Sequence, residues 1–204
     1  MSDSLIKALT LAISVLAIVN GAMLLRSYLR DKPILEIQPV YPQTYQWFFR
    51  MPPGNFDSLP TRRYGFLIYI SVRNRGIRDV SLCEWRLTLT TPGGKHFKLF
   101  PISIPQPQLK HADYLKTWPV LGIKGHTLEG DTMVRAGDAV AGFAYYVAEF
   151  YGTDDFNPLI RDGSVVATIT VRGVYGRPVS ARIALTEKTL DEVCQLIPNI
   201  DKIC

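Results

Sequence analysis

The chain has 204 residues, 47% of them hydrophobic and 20% charged, with a formal net charge of +5. So apolar a composition excludes a disordered chain, and the length suits one domain with a short appendage. Four of the 23 Lys/Arg and two of the 18 Asp/Glu lie in residues 1–32, leaving 19 against 16 in residues 33–204. That near balance gives no basic footprint for nucleic acid, and none is expected as a partner.

The first expected element is a transmembrane helix. From Leu5 to Leu25 only Lys7, Thr10, Ser14, Asn20 and Gly21 interrupt the apolar run, and nothing from Ala8 to Leu25 is charged. A helix rises 1.5 Å per residue, so about 20 such residues match a hydrocarbon core of roughly 30 Å. A buried core helix would show a polar stripe, and this segment has none. A cleaved signal peptide would end in an A-x-A-like site, which Asn20-Gly21-Ala22 fits poorly. An uncleaved single-pass anchor is therefore expected, with residues 1–32 forming a tail, the span and a basic juxtamembrane segment. Arg26, Arg30 and Lys32 are the candidate lipid-headgroup contacts. They outweigh Lys7 and the terminal amine on the other flank, so the Lys/Arg bias leaves the following domain on the cytoplasmic side. Three cysteines, an odd number, agree with that side, although Cys194 and Cys204 are near enough in sequence to pair in an oxidising compartment.

Residues 33–204 read as one β domain. "DKPILEIQPV" is a short first strand from Pro33. "YPQTYQWFFRMPPGNFDSLPTRR" is expected to be irregular because of Pro42, Pro52, Pro53 and Pro60, and it concentrates aromatic residues. From Tyr64 the period is two: Phe66, Ile68, Ile70 and Val72 face one way, Leu67, Tyr69, Ser71 and Arg73 the other. Asn74-Arg75-Gly76 ends that strand. "DVSLCEWRLTLTTPGGKHFKLFPISIP" is a hairpin turning at Pro92-Gly93-Gly94, with Cys83, Trp85, Leu87 and Leu89 expected on its inner face. Cys83 is thus expected to be a small buried hydrophobe.

Residues 105–133 form a second irregular stretch. "AGDAVAGFAYYVAEF" is a long strand, and "SVVATITVRGVYGRPVSARIALTE" is a hairpin. In that hairpin Val165, Ala167, Ile169 and Val171 oppose Val179, Ala181, Ile183 and Leu185 around Tyr175-Gly176-Arg177. Leu190, Val193, Cys194 and Ile197 then follow helical spacing, Thr189 and Glu192 form a capping box, and Pro198 stops the helix. Seven or eight strands without βαβ alternation, plus one terminal helix, indicate an antiparallel sandwich. The style of "VRNRG", "VSLCEWRLTL" and "VRAGDAVAGFAYYV" resembles immunoglobulin-like sandwiches, a likeness of architecture alone. The Cys…Trp…Cys framework of true immunoglobulin domains is absent.

No chemical motif emerges. His96, His111 and His126 lie fifteen residues apart with no metal-ligand spacing, and no cysteine pair has C-x₂₋₄-C spacing. Asp131, Asp138, Asp154 and Asp155 do not fit a calcium loop, and neither a nucleophile elbow nor a phosphate-binding glycine loop is present. No cofactor and no catalytic residue are expected. Arg73, Arg75 and Arg78 form one local basic patch, read first as a solvated loop and otherwise as a contact for lipid phosphate or for an acidic partner.

The expected function is that of a membrane-anchored, non-enzymatic β-sandwich that binds or organises a partner protein at the bilayer. Its speculative binding residues are Tyr45, Trp47, Phe48, Phe49, Tyr114 and Trp118, the residue types enriched at interface hot spots. Two alternatives are a hydrolase with a loop-built site at His111, Asp113 and His126, and a carbohydrate- or lipid-binding module.

Overall fold

The computed structural model describes residues 3–30, 32–41, 44–56, 59–103, 108–111, 114–117, 120–121, 133–152 and 157–200. The chain is mainly β, with 51% strand, one long apolar helix at the N-terminus and one short helix near the C-terminus. Helix α1 (Asp3–Arg30) is followed by β1 (Leu35–Pro39), β2 (Gln46–Phe56), β3 (Leu59–Asn74), β4 (Val80–Thr90) and β5 (His96–Leu99). Then come β6 (Gln108–His111), β7 (Tyr114–Thr117), β8 (Met133–Val134), β9 (Ala139–Phe150) and β10 (Ile160–Arg161). Strands β11 (Ser164–Gly173) and β12 (Val179–Glu187) precede α2 (Leu190–Leu196).

Ten strands form one sheet in the path β1-β3-β2-β12-β11-β4-β5, with β9 on β3, β8 on β4 and β10 on β11. The β11–β12 hairpin has the expected register, Val165 opposite Leu185 through to Val171 opposite Val179. The sheet is mixed rather than antiparallel throughout. Thr186 and Glu187 run parallel to Trp47 and Phe48, and the Lys188 amide donates to the Phe48 carbonyl at 2.9 Å.

Two hydrophobic clusters lie on opposite faces of β3 and β9. Phe66, Ile68, Ile70 and Val72 of β3, with Ala144 and Tyr146 of β9, face an inner core shared with β4, β11 and β12. Leu67 and Tyr69, with Phe143 and Tyr145, face an outer cluster closed by Val193, Leu196, Ile197 and Ile200. Burial on both faces explains the unbroken apolar runs "FLIYI" and "FAYYVA", since a strand with one wet face alternates.

Three further expectations change. Residues 46–56 form β2 rather than an irregular segment. Pro52 and Pro53 sit in the register shift between Met51 and Gly54, where a missing amide donor costs no ladder bond. Residues 108–111 and 114–117 pair as a small separate sheet inside the second supposed irregular stretch. Cys83 is exposed rather than buried. Arg172 opposes Glu84 and Gly173 opposes Leu82, so Cys83 is the extra residue of a bulge. The bulge turns Leu82 inward with Trp85, Leu87 and Leu89 and leaves Cys83 outside.

Helix α1 is apolar all round and long enough to cross a membrane over Leu9–Leu29, and none of that stretch is covered by the rest of the described chain. The hydroxyls of Thr10 and Ser14 donate to the carbonyls of Ile6 and Thr10, each at 2.9 Å, so neither polar group is left unpaired on the helix surface. Helix α2 is amphipathic, with Val193 and Leu196 buried. Its capping box is complete: Glu192 accepts from the Thr189 amide at 2.9 Å, and the Thr189 hydroxyl accepts from the Glu192 amide at 3.3 Å.

Candidate functional site

The end of the β domain nearest α1 is tied together by Asn74. The side chain of this residue is fully buried. Its Oδ1 accepts from the amides of Ile34 (3.2 Å) and Gly76 (3.0 Å), while Nδ2 donates to the carbonyls of Arg78 (2.6 Å) and Val134 (3.2 Å). One amide group thus joins the connector after α1, the β3–β4 turn and β8. The Asn74 backbone adds the β8–β9 turn, donating to the Asp138 carbonyl and accepting from Gly137, both at 2.9 Å. Such a network is strong because every buried polar group in it is satisfied.

The connector itself has no slack. The Ile34 carbonyl accepts from the Arg75 amide at 2.7 Å. A Cβ on Gly76 would fall 2.2 Å from the Lys32 carbonyl oxygen and 2.7 Å from the Ile34 nitrogen, so only glycine lets the two backbones approach this closely. A cavity of about 960 Å³ opens between the end of α1 and the β3–β4 and β11–β12 turns, lined by Tyr28, Leu29, Lys32, Arg78, Tyr175 and Arg177 among others. The Lys32 ammonium lies over the Tyr28 ring, 5.0 Å from its centre.

A second concave surface, a groove of about 600 Å³, lies on the outer face of β4, β5, β11 and β12. Lys98 opposes Thr88, Thr88 opposes Thr168, and Thr168 opposes Arg182, so these four form one row across the sheet. At about 4.8 Å per strand, Lys98 and Arg182 stand roughly 14 Å apart with two hydroxyls between them. His96 and Arg161 also line the groove, and among the described residues no carboxylate does. The His96 Nδ1 and the Thr90 hydroxyl share a hydrogen bond at 3.1 Å.

The residues anticipated from the sequence do not converge on one surface. Phe48 and Phe49 have no exposed area: Phe48 fills the inner core and Phe49 the outer cluster. Neither side chain is available to a partner while the domain is folded. Trp47 is buried in the outer cluster, and the half-buried Tyr45 packs against it with ring centres 5.5 Å apart. Tyr45 also meets Tyr69 and Phe143 at 6.1 and 5.6 Å. Burial holds the Tyr69 phenol above its usual range, with Tyr41 and Tyr45 adding to the effect. Trp118, Asp113 and His126 lie outside the described residues, and of Tyr114 and His111 only the backbone pairing in the small sheet is described. Arg26 and Lys32 are exposed, and Arg30 ends α1. Among the described residues, no group of three or more His, Cys, Asp and Glu is positioned to hold a metal ion.

Sequence reasoning missed Asn74 as an organiser and the cationic row of the groove. Asn74 had a signal, since asparagine commonly bonds backbone at turns. The row had none, because it exists only through the pairing of four strands.

No family model matches the chain, and no curated protein does. Among solved structures it is similar to the structural-genomics target SoR45, at 13% identity and a TM-score of 0.31, covering 78% of this chain and 89% of that one. It is also similar to a Bordetella pertussis protein provisionally named ApaA, at 8% identity and a TM-score of 0.32, covering 77% and 96%. Overlaps this loose carry no argument about topology or activity.

Proposed function

We propose that this protein is a single-pass, membrane-anchored, non-enzymatic β domain that binds or organises a partner protein at the bilayer. The observation that carries this reading is the uncovered apolar surface of Leu9–Leu29, joined to the domain by a connector held at both Ile34 backbone groups. An all-round apolar helix of that length in water would be a large aggregation surface, whereas in lipid it is at home. Anchoring confines the domain to two dimensions and raises the effective concentration of any co-anchored partner.

The described lining of the groove, cationic and without a carboxylate, favours a partner segment rich in Asp or Glu, with Lys98 and Arg182 pairing its carboxylates across the Thr88–Thr168 row. The finer architecture we take to be an immunoglobulin-like sandwich, with β3 and β9 in one layer and β4, β11 and β12 in the other. The inner core shared between these two sets supports it. The balance of Arg26, Arg30 and Lys32 against Lys7 supports a cytoplasmic domain.

Photo-cross-linkers at positions 96 and 166, which line the groove beside Lys98 and Arg182, in the full chain in native membranes, test the binding role. A discrete product from both positions, lost on changing Arg161 to Glu, is expected. No product from either position, with the domain folded, contradicts it. Protease added to sealed membranes from each side tests the topology.

A further inference from the structure

The groove on β4, β5, β11 and β12 has an apolar centre. Val166 of β11 is 43% exposed, and among the described residues of these four strands no other large hydrophobic side chain is exposed. The half-buried Leu159 lines the groove with it, its amide donating to the Thr90 carbonyl at 2.8 Å. The cations stand around this centre. Arg161 of β10 opposes Ser164 and Arg182 of β12 opposes Thr168, so the two arginines straddle Val166 from opposite edges of β11. Two residues along the strand and one strand across place each of them roughly 8 Å from Val166 along the sheet. Lys98, two strands across, lies about 12 Å away. Among the described residues, none of these three cations has an ion pair or a side-chain hydrogen bond. A single exposed valine on a sheet is ordinary; one ringed by three unpaired cations is not.

We propose that this groove takes a protein segment in which one large apolar side chain is flanked by carboxylates. The apolar side chain covers Val166 and Leu159, and the carboxylates pair with Lys98, Arg161 and Arg182. This rests on the groove being the seat of an acidic partner, and it defines which acidic segments fit. A uniformly acidic run would pair the cations and leave Val166 and Leu159 wet. A uniformly apolar run would cover those two and leave three cations without carboxylates. Only the mixed segment satisfies both parts of the surface. The layout is that of an interface hot spot, with an apolar contact at the centre and polar groups at the rim. The rim charges set the choice of partner and its rate of arrival, while burial at the centre slows its departure. Thr88 and Thr168, between Lys98 and Arg182, offer hydroxyls to the backbone of the bound segment.

Nuclear magnetic resonance of the full chain in phosphatidylcholine nanodiscs, with Val and Leu methyl groups labelled, tests this. The probes are three pentapeptides with blocked ends: Glu-Glu-Leu-Glu-Glu, Glu-Glu-Ser-Glu-Glu and Lys-Lys-Leu-Lys-Lys. The first should shift the Val166 and Leu159 methyl signals and bind about tenfold tighter than the second, and the third should not bind. Val166→Ser should weaken the first peptide to the level of the second, with the domain melting as before. Arg161→Gln with Arg182→Gln should weaken both acidic peptides alike. Equal binding of the leucine and serine peptides to the natural chain overturns the apolar anchor and leaves the acidic partner standing. Failure of both acidic peptides to move the Val166 signals, or equal binding of the lysine peptide, overturns the acidic partner and the anchor with it.

Discussion

The two helices among the described residues end in opposite surroundings. Helix α1 is long, apolar on every side and buried nowhere along Leu9–Leu29. Helix α2 spans seven residues, carries one apolar stripe and closes the outer cluster over β2, β3 and β9 with Val193 and Leu196. The difference teaches how periodicity assigns a solvent. A helix with one apolar face can be covered by a sheet, and a helix with no polar face needs cover all round, from protein or from lipid. Each attachment also has its own device: a buried asparagine beside α1 and a capping box before α2.

The largest effect should come from breaking the apolar surface of α1. Changing Leu16 and Ile18 together to Arg places two charges at the helix centre, costing about 5–7 kcal/mol on insertion scales. The chain should then appear in the soluble fraction, with the β domain melting as before. On α2 the corresponding change is Ile197→Ala, which empties a fully buried site at the helix end. It should lower domain stability by about 2–5 kcal/mol, read by chemical denaturation, and leave membrane association intact.

The attachment devices should matter less. Asn74→Ala leaves the Ile34 and Gly76 amides and the Arg78 and Val134 carbonyls without their partner, and should cost about 1–3 kcal/mol or more. Its mark should be faster hydrogen exchange at Ile34 and Gly76 than in α2. Thr189→Ala removes the cap and should cost about 0.5–2 kcal/mol, with faster exchange confined to α2.

The smallest effect is a pH dependence of that cap. Hydrogen bonds from Lys188 and from the Thr189 amide and hydroxyl hold the Glu192 carboxyl down at about 2, from a usual 4.5. A depressed carboxylate contributes stability that is complete above the unfolded value and is lost as pH falls towards the folded one. Protection of the α2 amides, taken relative to the intrinsic exchange rate at each pH, should therefore fall between pH 4.5 and 2 in the natural chain, and the Glu192→Gln variant should lack that component. An equal fall in both chains would remove the capping box from the account.

Much of this was legible before the fold was known, wherever a pattern was local. The alternation of Phe66–Arg73 separated the two faces of β3, and the Val165–Leu185 register followed from pairing alternate residues around one corner. The Thr189–Glu192 box needed four residues in a row. What stayed hidden depended on a partner. Cys83 is outside because a bulge opposite Arg172 and Gly173 adds a residue to β4, and no feature of "VSLCEW" marks that position. It should react rapidly with a bulky thiol reagent in the folded protein. Strand β2 was masked by prolines that lie where its register shifts anyway. Phe48 and Phe49 resembled contact residues because a strand buried on both faces has the composition of a hot spot. Phe48 is buried by the inner core and Phe49 by the outer cluster that α2 closes, and neither cover is visible in the local sequence. Asn74 carries the signal of a turn residue, which covers its bonds to Gly76 and Arg78, whereas its bonds to Ile34 and Val134 are beyond any sequence signal.

The claim on which the rest depends is that α1 lies in a bilayer and stays attached to the domain. Extraction of native membranes with alkaline carbonate, followed by mass measurement of the chain in each fraction, tests it most directly. The account predicts that the chain, with residues 9–29 intact, pellets with the membranes, and that detergent alone releases it. Recovery of the chain in the carbonate supernatant, or a membrane-free form lacking residues 9–29, would contradict it.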